Sequence, residues 1–300
     1  MSSGSMEKTS LSVSIGMPVY NGEAYIRNAI DSLLKQTLID FELIISDNAS
    51  TDGTESICRE YAAQDVRIFY FRQKKNRGAA ANFQFVVNHA RADFFMWAAY
   101  DDTWAESYLR KATILFDDES VDFVLPSFRV RSILLRIGKK FDRELFKFIE
   151  STDRKQRVLQ FLALHHASYK CNIVYSLFRT EFLKNALGIQ NIDNDGALGA
   201  VLLGLGRGRV LGGALFNKRY PRLWPSTLNL FFAWFYKNYS KEFELAKEAS
   251  LKRLTVLFPE YMEPIKFVFD QYHPYTHGKG YQICSIDNGP NPQEKNHGSK

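Results

Sequence analysis

The stretch FELIISDNASTDGT, residues 41–54, decides the fold. Its first six residues are mostly apolar and are followed at once by turn formers, which predicts a short buried β-strand. The polar run 47–53 predicts a turn, and residues 54–63 predict a helix. A strand that passes through a polar turn into a helix is the repeating unit of an α/β sheet.

The same alternation continues on both sides of this stretch. Strands separated by helices of this length pair in parallel through right-handed crossovers. A parallel sheet is therefore expected over the first 125 residues. The further predicted elements are a strand at 12–17 that ends at Pro18, a helix at 23–36, a strand at 66–71, a helix at 79–89 and a strand at 94–98.

Polar side chains follow three of these predicted strands. Tyr20 and Asn21 follow the first strand, Asp47 follows the second, and Asp101 and Asp102 follow the fourth. In open parallel sheets the ligand binds beyond the carboxyl ends of the strands. The sequence therefore predicts a ligand site at this edge.

The adjacent carboxylates Asp101 and Asp102 are the sharpest chemical feature. Two such groups repel each other unless a cation is bound, and a divalent ion that also grips a diphosphate fits. The alternative is a solvated acidic loop. Asp47 is suited to accept hydrogen bonds from a base or ribose, whereas Asp52 and Thr54 are expected to shape the turn and cap the next helix.

Four motifs in register, Pro18–Glu23, Asp47–Thr54, Asn76–Gly78 and Asp101–Asp102, resemble the family 2 glycosyltransferases. The resemblance covers about residues 13–123. It implies the GT-A fold, an α/β class with a Rossmann-like mixed sheet flanked by helices. It also implies a nucleotide-diphospho-sugar donor, UDP- or dTDP-linked, inversion at the anomeric carbon, and a divalent metal, Mn²⁺ or Mg²⁺.

The resemblance also assigns roles to individual residues. Tyr100 departs from the family pattern, which often has a carboxylate or a small residue there, and Arg77 takes the place of the more usual arginine further along its loop. A catalytically inactive nucleotide-sugar-binding protein that acts as an assembly partner is the alternative function.

Donor binding is assigned by the resemblance to Pro18, Tyr20, Asn21, Glu23, Asp47, Asn76, Arg77 and Asp101, and metal binding to Asp102 and Asp101.

Inverting transfer needs a general base that deprotonates the acceptor hydroxyl. The family places a carboxylate just before a helix that ends in a glycine turn and a strand. Counting back from Gly206, the resemblance puts Asp195 at this position, with Asp193 as the second candidate and Asn194 where an acid is common. The structural alternative for either aspartate is a helix N-cap.

Charge is distributed unevenly along the chain of 300 residues, whose net charge is +6. Residues 1–126 hold 12 basic and 18 acidic side chains, and residues 127–300 hold 27 and 15. The basic half suits a carbohydrate or lipid-linked acceptor, including an anionic one, or peripheral contact with acidic lipid headgroups. No nucleic-acid recognition module matches, so nucleic acid is excluded as a partner. Three widely spaced cysteines form no metal cluster and indicate a reducing, cytoplasmic setting.

The expected organisation has four parts. A glycosyltransferase domain covers residues 11–220, with a donor nucleotide-binding part at 11–125 and an acceptor-side part at 126–220. Residues 1–10 are expected to be a disordered N-terminus or an expression scar, 221–276 a helical extension, and 277–300 a disordered tail. The aromatic-rich run 223–236 is shorter than the roughly 18 residues that span a bilayer, and it suits the core, a homodimer interface or a membrane interface on the inner face.

Overall fold

The computed structural model describes residues 11–131, 138–141, 143–164, 170–189, 192 and 195–219. The predicted N-terminal segment 1–10, the helical extension 221–276 with its aromatic run 223–236, and the tail 277–300 lie outside the described residues. Within the described part, no helix is both long enough and apolar enough to cross a membrane.

The described chain alternates strands and helices, with short 3-10 segments between some of them. The strands are β1 (Val13–Val19), β2 (Phe41–Asp47), β3 (Ile68–Arg72), β4 (Phe94–Trp97), β5 (Thr103–Trp104), β6 (Phe123–Arg131), β7 (Gly138–Phe141), β8 (Leu177–Arg179) and β9 (Gly208–Arg219). The helices are α1 (Ile26–Leu34), α2 (Thr54–Gln64), α3 (Ala79–Asn88), α4 (Tyr108–Ile114), α5 (Arg143–Phe146), α6 (Arg154–Ala163), α7 (Thr180–Ile189) and α8 (Asp195–Leu205).

The first four strands form the parallel sheet that the alternation predicts, in the order β3-β2-β1-β4. Val13 of β1 lies opposite Phe41 of β2 on one side and Phe94 of β4 on the other. Every residue of β1 and β2 is buried. Burial of a whole strand on both faces is typical of parallel sheets, because the crossover helices cover both faces.

The second half of the chain extends this sheet with mixed pairing. The full order is β3-β2-β1-β4-β8-β6-β9-β5, and β7 pairs with β6 at the side. β8 is antiparallel to both β4 and β6, and β9 is parallel to β6. Two antiparallel steps restore the strand direction, so β9 runs the same way as β4. The carboxyl ends of β1, β2, β4 and β9 therefore share one edge, and the predicted α/β class with a mixed sheet is confirmed.

Helix α3 packs closely against the middle of β1. A Cβ atom on Gly16 would lie 2.6 Å from Cγ2 of Val86, which is too close for any side chain. Glycine in the middle of β1 therefore lets α3 approach the sheet backbone directly. Cys58 of α2 lies buried in the core.

The mostly apolar run 172–178 predicts a further strand from the sequence, and this prediction is wrong over most of its length. A 3-10 segment spans Lys170–Tyr175, and the strand is limited to Leu177–Arg179. The backbone N–H of Ser176 donates to the carbonyl of Ile173 over 3.2 Å, which closes a local turn instead of a sheet ladder. The apolar residues of this run are buried in the core. An apolar pattern alone does not distinguish a strand from another buried segment.

Candidate functional site

A cleft of about 370 Å³ opens at the shared carboxyl edge of the sheet. It lies where the ends of β1 and β2 face the loop that leads into α3. Its position matches the site predicted from the polar residues that follow the strands. The lining residues are Pro18, Val19, Tyr20, Asn48, Asn76, Gly78, Ala79, Asn82, Phe83 and Tyr100.

The end of β1 supplies one wall of this cleft. Pro18 is buried and lies opposite Ser46 of β2, which places its ring at the edge of the sheet. Tyr20 follows the strand and is 43% exposed. An exposed aromatic ring beside a cleft is suited to stack on a planar ligand group.

Asn21 and Glu23 hold the neighbouring turn and do not line the cleft. Asn21 adopts a left-handed backbone conformation, with a φ of 52°, and its Oδ1 accepts a hydrogen bond from the N–H of Thr51 over 2.9 Å. Oε2 of Glu23 accepts one from the N–H of Gly53 over 2.9 Å. Residues 23–25 form a turn, and α1 begins at Ile26, three residues later than the sequence predicts.

Asp47 is the last residue of β2, and its side chain is fully buried. Its Oδ1 accepts a hydrogen bond from the N–H of Ser50 over 2.8 Å. Its Oδ2 accepts from the hydroxyl of Tyr70 over 2.8 Å and from Nη1 of Arg72 over 2.6 Å. A carboxylate has about four acceptor positions, so three of those of Asp47 serve the protein itself.

The loop before α3 is held by Asn48. Its Nδ2 donates to Oδ1 of Asn76 over 2.9 Å and to the carbonyl of Gly78 over 3.2 Å. Its Oδ1 accepts from the N–H of Arg77 over 2.9 Å. Gly78 has a φ of 84°, a conformation that favours glycine and turns the loop into the helix. Asn76 therefore lies in the cleft, while the Arg77 side chain is exposed.

Asn82, on the first turn of α3, joins that helix to the ends of two strands. Its Oδ1 accepts from the hydroxyl of Ser46 over 2.6 Å, and its Nδ2 donates to the carbonyl of Ser46 over 2.8 Å. A longer contact of 3.4 Å runs from Nδ2 to the carbonyl of Val19. The buried amide is thereby satisfied on both of its polar atoms.

The acidic pair follows β4 and meets the end of β9. Oδ1 of Asp102 accepts a hydrogen bond from the N–H of Arg219 over 2.7 Å. Its Oδ2 lies 3.3 Å from Nζ of Lys218. Asp101 precedes it and is partly buried, and within the described residues no side chain donates a hydrogen bond to Asp101. Among the described residues, Lys218 is therefore the one basic side chain that forms an ion pair with the acidic pair, through Asp102.

Burial dominates the protonation of the pair. It raises the pKa of Asp102 to about 6, with the charge of Asp101 acting in the same direction and the charge of Lys218 opposing both. Burial also raises the pKa of Asp101, against the charges of Lys218 and Arg219. The raised pKa values mean that the ionised form of each carboxyl group is less stable here than in water, mainly because the groups are buried.

The residues of this pair suit a divalent cation. Carboxylate oxygens are the ligands that Mg²⁺ and Mn²⁺ prefer. Among the described residues, no group of three His, Cys, Asp or Glu side chains forms a complete metal site. Mg²⁺ is commonly held by one or two carboxylates together with substrate phosphates. Asp101 and Asp102 therefore fit a cation that is shared with a phosphorylated ligand.

The two candidates for the general base fall at the edge of what the structure describes. Asp195 is the first residue of α8, so its backbone lies at the start of the helix that the sequence predicts. Asp193 and Asn194 lie outside the described residues. α8 packs through buried Leu198, Val201 and Leu202, which fixes the helix that begins at Asp195.

Three residues of the site were not singled out from the sequence. Asn48 and Asn82 shape the cleft, and Lys218 neutralises part of the acidic pair. Asn48 lies within the quoted 41–54 stretch, and Asn82 follows an alanine run, so both were visible as polar residues near the motifs. The only signal for Lys218 was the basic excess of the second half of the chain.

Comparison with known proteins places this geometry in a family. The family model described as glycosyl transferase family 2 matches residues 14–178, more than half of the chain. In Bacillus subtilis, "Putative teichuronic acid biosynthesis glycosyltransferase TuaG" is 31% identical over 131 residues, which are 44% of this chain and 51% of TuaG. Glycosyltransferase GlyA of Streptococcus pneumoniae is 31% identical over 97 residues, 32% of this chain and 14% of GlyA. The matched part thus spans at most about half the length of these relatives.

Solved structures share the fold at low identity. S. aureus TarS is 18% identical, with a TM-score of 0.63 over 87% of this chain and 72% of that one. The mannosyltransferase PcManGT from Pyrobaculum calidifontis, in complex with GDP-Man and Mn²⁺, is 17% identical, with a TM-score of 0.53 over 86% of this chain and 68% of that one. These likenesses confirm the predicted GT-A architecture. Together with the family match over residues 14–178, they show that the chain belongs to glycosyl transferase family 2.

Proposed function

We propose that the chain transfers a sugar from a nucleotide-diphospho-sugar to an acceptor hydroxyl, with inversion at the anomeric carbon. One observation carries the proposal. The cleft and the acidic pair lie on the same edge of the sheet, since Tyr100 lines the cleft and Asp102 follows two residues later. A ligand with a planar base at one end and phosphates at the other matches this arrangement.

The donor is proposed to lie with its base in the cleft and its diphosphate toward the acidic pair. Pro18, Tyr20 and Asn76 line the cleft, and buried Asp47 lies behind it. Arg77 is exposed on the adjoining loop, where its guanidinium is available to phosphate oxygens. TarS has been solved with UDP and with UDP-GlcNAc, and PcManGT with GDP-Man. These neighbours support a nucleotide sugar, with UDP and dTDP donors as the first to test.

Asp101 and Asp102 are the residues proposed to hold a divalent cation. When bound, the cation offsets the charge that develops on the departing diphosphate. The protein's own contribution is to hold the two carboxylates next to each other after β4, with Asp102 fixed by the N–H of Arg219 and by the ammonium of Lys218. Asn21 and Glu23 contribute indirectly, because their side chains keep the 50–54 turn in place beside the cleft.

Asp195 is the proposed general base, and Asp193 is the second candidate. The carboxylate takes the proton from the acceptor hydroxyl as that oxygen bonds to the anomeric carbon. The bond between the anomeric carbon and the diphosphate oxygen breaks, and its electron pair leaves with the nucleoside diphosphate. Attack from the face opposite the leaving group inverts the anomeric carbon, and no covalent enzyme intermediate forms.

The proposed acceptor is a carbohydrate or a lipid-linked glycan, anionic in the first hypothesis. The basic excess of residues 127–300 supports this choice, because opposite charge steers a ligand toward its site. TuaG is named for teichuronic acid biosynthesis. We therefore place the reaction in bacterial cell-surface polysaccharide or glycolipid synthesis, in the cytoplasm, with peripheral contact at the inner face of the membrane.

Release of nucleoside diphosphate tests this function. UDP-, dTDP- and GDP-sugars are incubated with the protein and Mn²⁺, and the wild type is compared with Asp195→Asn. The variant is expected to bind the donor and to lose turnover. Asp40→Asn is the matched control, because Asp40 is exposed and precedes β2, at the opposite edge of the sheet. Donor binding without any release by the wild type would contradict the enzymatic function and favour the inactive binding protein.

A further inference from the structure

Lys218 is the one lysine among the described residues that contacts the acidic pair. It lies next to the last residue of β9, and its Nζ is 3.3 Å from Oδ2 of Asp102. The two residues are separated by 116 positions in the chain. Their contact exists because β9 pairs with β5, which directly follows the acidic pair.

The ammonium group of Lys218 is held by aromatic rings as well as by the carboxylate. Its Nζ lies 4.5 Å from the ring centroid of Tyr175 and 5.8 Å from that of Phe216. Both distances lie within the range of cation–π attraction. The side chain is only 21% exposed. A flexible lysine is thereby held in one place before any ligand arrives.

A lysine ammonium has three N–H donors. Among the described residues, only Asp102 accepts a hydrogen bond from it, while the rings of Tyr175 and Phe216 contact the ammonium without using an N–H donor in a hydrogen bond. Donor capacity therefore remains for a further acceptor. Lys218 itself cannot neutralise the site, since the carboxylates of Asp101 and Asp102 together outnumber the one ammonium.

We propose that Lys218 binds the diphosphate of the donor directly, as a built-in cation beside the metal-binding carboxylates. This inference rests on the proposed nucleotide-sugar function. Lysine binds phosphate as a compact point charge. Its place at the carboxyl edge, beside the acidic pair that follows the cleft residue Tyr100, puts this charge where the diphosphate is proposed to lie. The nucleoside part of the donor would not depend on it.

The test measures binding without metal, so that only the protein supplies positive charge. The affinities of UDP, GDP, uridine and guanosine are measured by calorimetry in EDTA. The wild type is expected to bind a nucleoside diphosphate more tightly than the matching nucleoside. Lys218→Met should weaken the diphosphate about tenfold and leave the nucleoside unchanged, which is the loss expected for one charge-assisted hydrogen bond.

Two further variants keep the result clear. Lys218→Gln removes the charge but retains an N–H for Asp102, so it should reproduce the loss even if the methionine variant folds poorly. Lys184→Met is the matched control, because Lys184 lies exposed on α7, and it should leave all affinities unchanged. Unfolding midpoints confirm that each variant is folded.

The results distinguish a failure of the role proposed for Lys218 from a failure of the proposed glycosyltransferase function. Folded Lys218→Met and Lys218→Gln proteins that bind the diphosphate as tightly as the wild type would overturn the role of Lys218. The same holds if the wild type in EDTA binds diphosphate no better than nucleoside, while binding with Mn²⁺ still supports the donor site. Failure of every nucleoside diphosphate to bind, with Mn²⁺ as well as without it, would overturn the proposed function and with it this inference.

Discussion

Replacement of Asn82 by alanine should loosen the inner wall of the cleft. Asn82 is 4% exposed, and its amide joins the start of α3 to the ends of β1 and β2. Alanine removes both polar atoms and leaves the carbonyl of Ser46 without this amide donor. The hydroxyl of Ser46 retains one partner, Nε2 of Gln73 at 3.1 Å.

The size of the effect follows from the two short hydrogen bonds. They measure 2.6 and 2.8 Å, and each contributes about 1 kcal/mol net. The 3.4 Å contact to Val19 is too long to add much. Asn82→Ala is therefore expected to lower the free energy of unfolding by about 2 kcal/mol. For a domain of this size, that corresponds to a fall in melting temperature of roughly 4–8 °C.

Urea unfolding and thermal melting measure this loss, with Gln84→Ala as the matched control. Gln84 lies on the same helix, and among the described residues its amide has one hydrogen-bond partner, Oδ1 of Asn88 at the surface, over 2.9 Å. The control should change stability by less than about 0.5 kcal/mol. Asn82→Asp, of equal volume, should destabilise at least as much as alanine at neutral pH, since a carboxylate oxygen would face the Ser46 carbonyl. A loss from Asn82→Ala no larger than that of the control would refute the reasoning.

Three further results are expected. The pKa of Asp102 is raised from 3.8 to about 6, so between these pH values the folded metal-free protein binds more protons than the unfolded chain. The contribution of Asp102 to the free energy of unfolding should therefore increase as pH falls from about 6 to 4. Protons then compete with metal, so Mn²⁺ affinity measured by EPR should weaken by up to roughly tenfold per unit below pH 6. Ala49 has a φ of 63°, so Ala49→Val should cost roughly 1–3 kcal/mol in urea unfolding, whereas Ala49→Gly should cost little or nothing. Gly16→Ala should cost roughly 1–3 kcal/mol through its clash with Val86, whereas Gly188→Ala, with open space around the new Cβ, should not destabilise.

The fold of the first 125 residues could be predicted because its signals are local. Residues 41–54 contain a strand, a turn and a helix start in sequence, and the structure has β2 end at Asp47 and α2 begin at Thr54. Asp52 shapes this turn as expected, since its Oδ1 accepts a hydrogen bond from the N–H of Thr54 over 3.1 Å. The N-cap residue of α2 is Gly53, and Thr54 is the first residue of the helix. Turn and cap interactions join near neighbours, so the sequence pattern carries them.

Contacts between distant segments could not be predicted in this way. No local pattern connects Lys218 with Asp102, because their contact depends on how β9 pairs with β5. The engagement of Asp47 by Tyr70 and Arg72 depends likewise on the pairing of β2 with β3. The apolar run 172–178 predicted a strand where most of the backbone forms a 3-10 segment. Its apolar residues indicate burial, and burial alone does not specify extended backbone.

The central claim is that the carboxyl edge binds a nucleotide-diphospho-sugar with a cation at Asp101 and Asp102. A thermal-shift screen of UDP-, dTDP- and GDP-sugars, with and without Mn²⁺, tests it most directly. At 100 times its Kd, a donor should stabilise the wild type by about 2.7 kcal/mol, a rise of roughly 5–10 °C. The Mn²⁺-dependent part of that rise should vanish in Asp102→Ala. No shift with any nucleotide sugar, or an equal metal-dependent shift in Asp102→Ala, would contradict the claim.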